Sequence, residues 1–367
     1  MTIGVLKEGS GENRVALLPE HVANLVKKEF SVLVERGAGV ASHAKDHLYT
    51  EAGAEIKERG DIIKVADWLL SIDAPKDHLP DGISLISVFA PMSSKGVVEK
   101  LAREGVTSFS LDMIPRSTRA QAVDVLSSMA TVAGYKAVLV AAGELPGFFP
   151  MFMSASGTIR PSRVLILGAG VAGLQALATA RKLGAVVEVF DVRSAVKEEV
   201  VSLGGKFVEV EGATDDASAG GYAVEQTKEY KQRQAELIQQ HAILSDVVIT
   251  TAQIPGKTAP LLIKKETVDA MKPGSVIVDL AASTGGNCEL TRDGERVVHG
   301  DVVIIGNSNF ASTVPSDASR MLGNNYLNFI GLMIDDTGKL DPGVEDEIIL
   351  ATLVTRGGEI VNERIKS

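Results

Sequence analysis

A chain of 367 residues is long enough for two domains of ordinary size. With 45% hydrophobic and 23% charged residues it has globular composition, and a net charge of −10 argues against a nucleic-acid surface. The single cysteine, Cys288, excludes an intrachain disulfide framework and reads as a small buried hydrophobe in a reducing compartment.

The first ten residues, MTIGVLKEGS, lack the basic region and apolar core of a signal peptide. Residues 2–7 read as a strand, 8–14 as a polar loop and 19–28 as a helix with Pro19 in its first turn. Further strands are predicted at 31–35, 68–72, 83–89 and 106–110, with helical stretches at 49–54, 61–66 and 96–104 between them. Such alternation implies a parallel sheet covered on both faces. In 111–135, Leu126, Met129 and Ala133 share an apolar helix face, with Gln121, Asp124, Ser127 and Ser128 on the other side. This helix is expected to run on to 142 as a connector between domains. Residues 145–162 read as a loop rich in Gly, Pro and Phe. No window reaches about 18 uncharged apolar residues. The nearest, 145–159, is interrupted by Pro146 and Pro150. The chain is expected to be soluble by itself, without direct membrane insertion.

The most informative stretch is 163–193, RVLILGAGVAGLQALATARKLGAVVEVFDVR. A short apolar strand leads into Gly168-Ala169-Gly170-Val171-Ala172-Gly173, an Ala- and Leu-rich helix follows, and a second strand ends at Asp191. Strand, G-x-G-x-x-G, helix, strand and acid in this order form a dinucleotide-binding fingerprint. Gly168 permits the tight turn, Gly170 lets backbone approach a pyrophosphate, and Gly173 lets the helix lie close to the strand. The helix N-terminus offers free N–H groups to phosphate. Asp191, placed to accept the adenosine ribose hydroxyls and repel a 2′-phosphate, favours NAD(H) over NADP(H); Arg193 weakens that preference a little. Beyond it, 209–226 is a polar insert, either a solvated loop or a mobile lid tipped by Gly221 and Tyr222. Strands at 247–251, 275–280 and 302–305 continue the sheet, and the turn at Thr251 and Ala252 would line the same crevice. A long helix at 314–335 returns the chain to the first domain, and 345–367 adds one helix and a strand pair. The fold expected is α/β: two Rossmann-like domains with parallel sheets, joined by two long helices, with a cleft between them. The first comprises 1–125 and 315–367, the second 136–310.

Groups that a substrate dehydrogenase needs are missing. None of the six histidines follows a strand end in a way that suits a general acid or base, and no Cys/His cluster has metal spacing. Hydride transfer between two nicotinamide rings moves no proton at the reacting carbons and needs neither group.

The fingerprint with VEVFDVR, the block MIPRSTRAQAVDVLSSMATVAGYKAV, the tip AGGYA and the segment TTAQIPGKTAP resemble the NAD(H)-binding component of proton-translocating NAD(P) transhydrogenase. The resemblance covers essentially the whole chain. Alanine dehydrogenase belongs to the same superfamily. Its pattern keeps an N-terminal Arg, matched by Arg14, but places Lys, His and Asp where this chain has Asp73, Ala90 and Ser283. Alanine oxidation is therefore the less favoured alternative, and a non-catalytic NAD(H)-binding module is a third. The resemblance implies that Arg116, Gln121, Asp124 and Ser127 contact the nicotinamide and its ribose. Tyr222 would close as the lid, and Val171, Asp191, Val192 and Thr251 would line the adenosine and pyrophosphate side. It further implies a homodimer, a separate NADP(H)-binding component, a membrane-spanning component, and a cytoplasmic location at the inner face of the plasma membrane through those partners. On this reading the chain is a separate subunit or a longer chain cut before its span.

Overall fold

A computed structural model describes residues 1–209, 228–254, 256–335, 338–343 and 345–366. They fall into two compact units, Met1–Met129 with Ala311–Ser367, and Ala130–Phe310. The insert at 210–226, with Gly221 and Tyr222, lies outside the described residues.

In the first unit, six parallel strands are β1 (Thr2–Val5), β2 (Ser31–Glu35), β3 (Glu55–Lys57), β4 (Trp68–Leu70), β5 (Ser84–Ser87) and β6 (Thr107–Ser110). Their spatial order is β3-β2-β1-β4-β5-β6, extended beyond β6 by the antiparallel strands Leu353–Arg356 and Glu359–Ile360. Successive residues of each strand serve opposite faces. Val34, Leu70 and Ile86 join one core with Leu322, Tyr326 and Phe329 of the helix Pro315–Leu332. Leu33, Leu69 and Leu85 join the other with Ile62, Val98 and Leu101. Both faces are covered, which is why these strands read as nearly unbroken apolar runs.

The second unit opens with a hairpin, β7 (Phe152–Ser154) and β8 (Gly157–Ile159), in the stretch expected to be a loop. Its sheet contains β9 (Arg163–Leu167), β10 (Val186–Phe190), β11 (Lys206–Phe207), β12 (Val247–Thr250), β13 (Val276–Asp279), β14 (Arg296–His299) and β15 (Val302–Gly306). The order is β11-β10-β9-β12-β13-β15-β14, parallel except for the edge strand β14. Each unit thus carries the doubly wound arrangement, with the strand order reversing between β1 and β4 in one and between β9 and β12 in the other. In such sheets the space outside the carboxyl ends at the reversal is where ligands bind.

Two expectations need correction. The segment before the long helix is not one continuous α-helix: Thr118–Val123 is a 3-10 turn, and the α-helix is Val125–Glu144. The break is at Asp124, whose carboxylate accepts the Ser127 N–H at 2.9 Å and the Ser127 hydroxyl at 2.5 Å. That is an N-cap, and a capping residue cannot share a helical face with Gln121. The same helix also contains an 18-residue window of mean hydropathy 1.5, so one helix among the described residues is long and apolar enough to cross a membrane. The charge of Lys136 in its middle conceals this in a search for uncharged windows. Ala137, Val138 and Ala141 of this helix pack in the core of the second unit. A Cβ at Gly134 would come within 2.1 Å of the Ala172 carbonyl oxygen, so the helix lies directly on the helix that follows β9.

Candidate functional site

The fingerprint turn leaves β9 at Gly168, whose φ of 107° is the left-handed region that glycine favours. Its N–H donates to the Phe190 carbonyl at 2.8 Å, tying the turn to β10. A Cβ at Gly168 would stand 2.4 Å from the Thr251 hydroxyl oxygen, and one at Gly173 only 1.8 Å from the Gly168 carbonyl oxygen. Neither position tolerates a side chain. Gly170 differs: among the described residues, a Cβ there would meet nothing within 4 Å. The helix Val171–Lys182 begins beside it with no side-chain cap among the described residues, which leaves its first-turn N–H groups without that acceptor. An anion is the group that such an end accommodates.

At the end of β10 the Asp191 carboxylate accepts the Ala169 N–H at 2.7 Å and the Arg193 N–H at 2.9 Å. It also accepts both prongs of the Arg193 guanidinium, Nε at 3.0 Å and Nη2 at 3.0 Å. Asp191 therefore holds the turn as well as standing beside it. Val192 packs on the core under the sheet. Across the reversal, the Thr251 N–H donates to the Leu167 carbonyl at 2.9 Å, and its hydroxyl donates to the Leu167 and Gly168 carbonyls.

Two buried residues that sequence reasoning missed hold this second loop. The Asp279 carboxylate accepts the N–H groups of Ala281, Asn287 and Cys288 and the Thr291 hydroxyl. Asn287 then clamps Ala252 at both ends, accepting its N–H at 3.0 Å and donating to its carbonyl at 2.9 Å. The contacts span 35 residues of sequence, and only the run Gly285-Gly286-Asn287 after a strand end could have signalled them. Cys288 is buried beside this clamp, and burial pushes its thiol up to about 11.

Of the residues placed by resemblance, Arg116 and Gln121 are exposed, while Asp124 and Ser127 are half-buried and bonded to each other. All four belong to the first unit; Gly168, Gly170, Val171, Gly173, Asp191, Val192, Arg193, Thr251 and Ala252 belong to the second. Arg14 is ion-paired to Glu12 through two bonds of 2.8 and 2.6 Å.

A doubly wound sheet with a glycine turn, an uncapped helix end and an acid closing the next strand defines a dinucleotide-binding protein. The comparisons narrow this. Residues 4–133 match the model of the alanine dehydrogenase/PNT N-terminal domain and residues 137–363 that of the C-terminal domain, so the chain belongs to the alanine dehydrogenase/PNT family. The chain is 44% identical to the first part of NAD(P) transhydrogenase subunit alpha of Rhodospirillum rubrum, over 99% of this chain and 98% of that one. It is 41% identical to NAD(P) transhydrogenase subunit alpha of Haemophilus influenzae, over 98% of this chain and 71% of the relative. A crystal structure of transhydrogenase from Sinorhizobium meliloti matches with a TM-score of 0.90 at 40% identity, over 98% of this chain and 100% of that one.

Proposed function

We propose that this chain is the NAD(H)-holding subunit of an NAD(P) transhydrogenase, exchanging hydride with NADP(H) on a separate component, with the exchange linked to proton movement through a membrane component. The carrying observation is the fingerprint turn. Among the described residues nothing crowds Gly170 and no side chain caps the helix end, and Asp191 closes the next strand, which together fit a dinucleotide's pyrophosphate and ribose. When bound, NADH supplies the hydride and NADP⁺ accepts it. The chain's own role is to bind, orient and exclude water. Gly168 and Gly173 bring backbone close, Asp279 and Asn287 hold the Thr251-Ala252 edge, and Asp191 is the acid that would accept the ribose hydroxyls in exchange for donors it now holds. Contacts of Arg116, Gln121, Asp124 and Ser127 with the nicotinamide and its ribose, and closure by Tyr222 and Gly221, belong to the proposal and rest on family membership.

The proposal includes a homodimer. All six residues of the β7–β8 hairpin are exposed, and an isolated two-stranded sheet is marginal in water. Phe152 and Ile159 are paired across it, and the Phe148 ring lies 4.5 Å from that of Phe152. A second copy of the same hairpin would cover this face in a two-fold interface. The membrane association is peripheral in this reading, at the cytoplasmic face, through the partner components.

The test mixes the purified chain and NADH with an NADP(H)-loaded partner component and follows hydride exchange. Exchange is expected. Turnover of alanine or another amino acid with NAD by the chain alone would replace this reading with the dehydrogenase alternative.

A further inference from the structure

The Asp191 carboxylate has no acceptor position to spare. Oδ1 takes the Arg193 N–H and Nε, and Oδ2 takes the Ala169 N–H and the Arg193 Nη2. A carboxylate has about four lone-pair sites, so its capacity is filled. The Asp191 side chain is 7% exposed and that of Arg193 29%, so the surrounding protein shields the acid more than its partner. Two of the four donors are backbone groups fixed by the turn. The other two belong to one guanidinium, carried by a side chain rather than by the turn's backbone. A ribose diol needs two acceptors, and the guanidinium holds the two that are releasable.

We propose that Arg193 is a latch on the ribose subsite: its guanidinium stands in for the adenosine ribose diol and must swing off Asp191 before a dinucleotide seats. The inference rests on the fingerprint turn being the NADH site. Affinity is then set by the difference between two partners competing for one carboxylate, and it is lower than the subsite alone would give. Specificity follows the same exchange. An unlatched Asp191 faces the ribose as a full negative charge, which suits a diol and repels a 2′-phosphate. Arg193 thus tunes affinity, while Asp191 sets the choice of coenzyme.

NADH is titrated by its fluorescence into the full chain and three variants. Arg193→Met keeps an apolar stem and removes both donors; it is expected to bind NADH about three- to tenfold more tightly, the scale of losing a partly exposed ion pair. The advantage should shrink as KCl rises from about 10 mM to about 1 M, because salt loosens the wild-type pair. Arg193→Lys keeps the charge without the two-pronged contact and should tighten binding by a smaller factor, which also serves if the Met variant misfolds. Unchanged or weaker binding in both Arg193 variants overturns the latch. Asp191→Ala distinguishes the two levels. If it weakens NADH while the Arg193 variants fail to tighten it, the latch alone is wrong. If it leaves NADH affinity unchanged, the site reading falls with the latch.

Discussion

At the carboxyl edge of the first unit, where the strand order reverses between β1 and β4, Glu8 reaches across the gap and accepts the Ile72 N–H at 2.6 Å and the Asp73 N–H at 3.1 Å. At the matching reversal in the second unit, between β9 and β12, the described residues instead supply glycines, a helix end without a side-chain cap and no neighbour within 4 Å of a Cβ at Gly170. The two sheets share one strand order, yet one reversal is filled by the protein's own carboxylate and the other faces outward. Topology provides the same opportunity twice, and a few loop residues decide which is used. Burial shows the cost of filling the first: it pushes the Glu8 carboxyl up to about 7, against the two backbone N–H bonds that favour its ionised form.

The contrast is most directly broken at Gly173. Gly173→Ala places a Cβ 1.8 Å from the Gly168 carbonyl oxygen, so helix and turn must separate. We expect NADH affinity to fall by about a hundredfold and stability by several kcal/mol, on the scale of core overpacking at its upper end. Calorimetric titration and urea unfolding would show both. Asp191→Ala removes the ribose acceptor and one clamp on the Ala169 N–H, and should weaken NADH about tenfold with a modest loss of stability.

On the first unit, Glu8→Gln sharpens the comparison through pH. The folded-state pKa of Glu8 lies above its ordinary value of 4.5, so the folded chain holds this proton more tightly than the unfolded chain does. The stability it contributes is full below about pH 4.5 and is lost as pH rises through about 7. The difference in unfolding free energy between Glu8→Gln and the wild type should therefore shift in the variant's favour by about 3 kcal/mol between pH 4.5 and 8. Parallel curves for the two proteins would remove Glu8 as the cause. NADH affinity should hardly change. The smallest effect is at Ala90, which follows β5 with φ of 47°. Ala90→Gly relieves a left-handed residue and should raise the urea midpoint by the equivalent of about 0.5 kcal/mol. Destabilisation would show that the methyl group matters more than the backbone.

Much of the architecture is legible because buried parallel strands are short apolar runs, and because Gly168, Gly170, Gly173 and Asp191 lie within 24 residues of one another. What escapes is of two kinds. The β7–β8 hairpin lacks alternation, since Phe152, Met153 and Ile159 are all apolar and all exposed; Ser156-Gly157 is its one turn signal. Asp124 reads as one residue of a helix face although Asp three residues before Ser127 is a capping pattern, because polar residues at helix starts and on helix surfaces look alike. The Asp279–Asn287–Ala252 clamp depends on a long-range meeting of loops, of which the run Gly285-Gly286-Asn287 is the one local trace. Nor does spacing reveal that Arg193 folds back on Asp191, since a side chain two residues away has many alternatives.

Cys288 gives the second unit a built-in clock. It is the chain's only thiol, 1% exposed, and its backbone N–H is held by Asp279. An alkylating reagent at neutral pH must wait for the loop after β13 to spring open before it finds a thiolate. The labelling rate of a single atom therefore times the breathing of the segment that braces the Thr251-Ala252 edge, with no engineered probe.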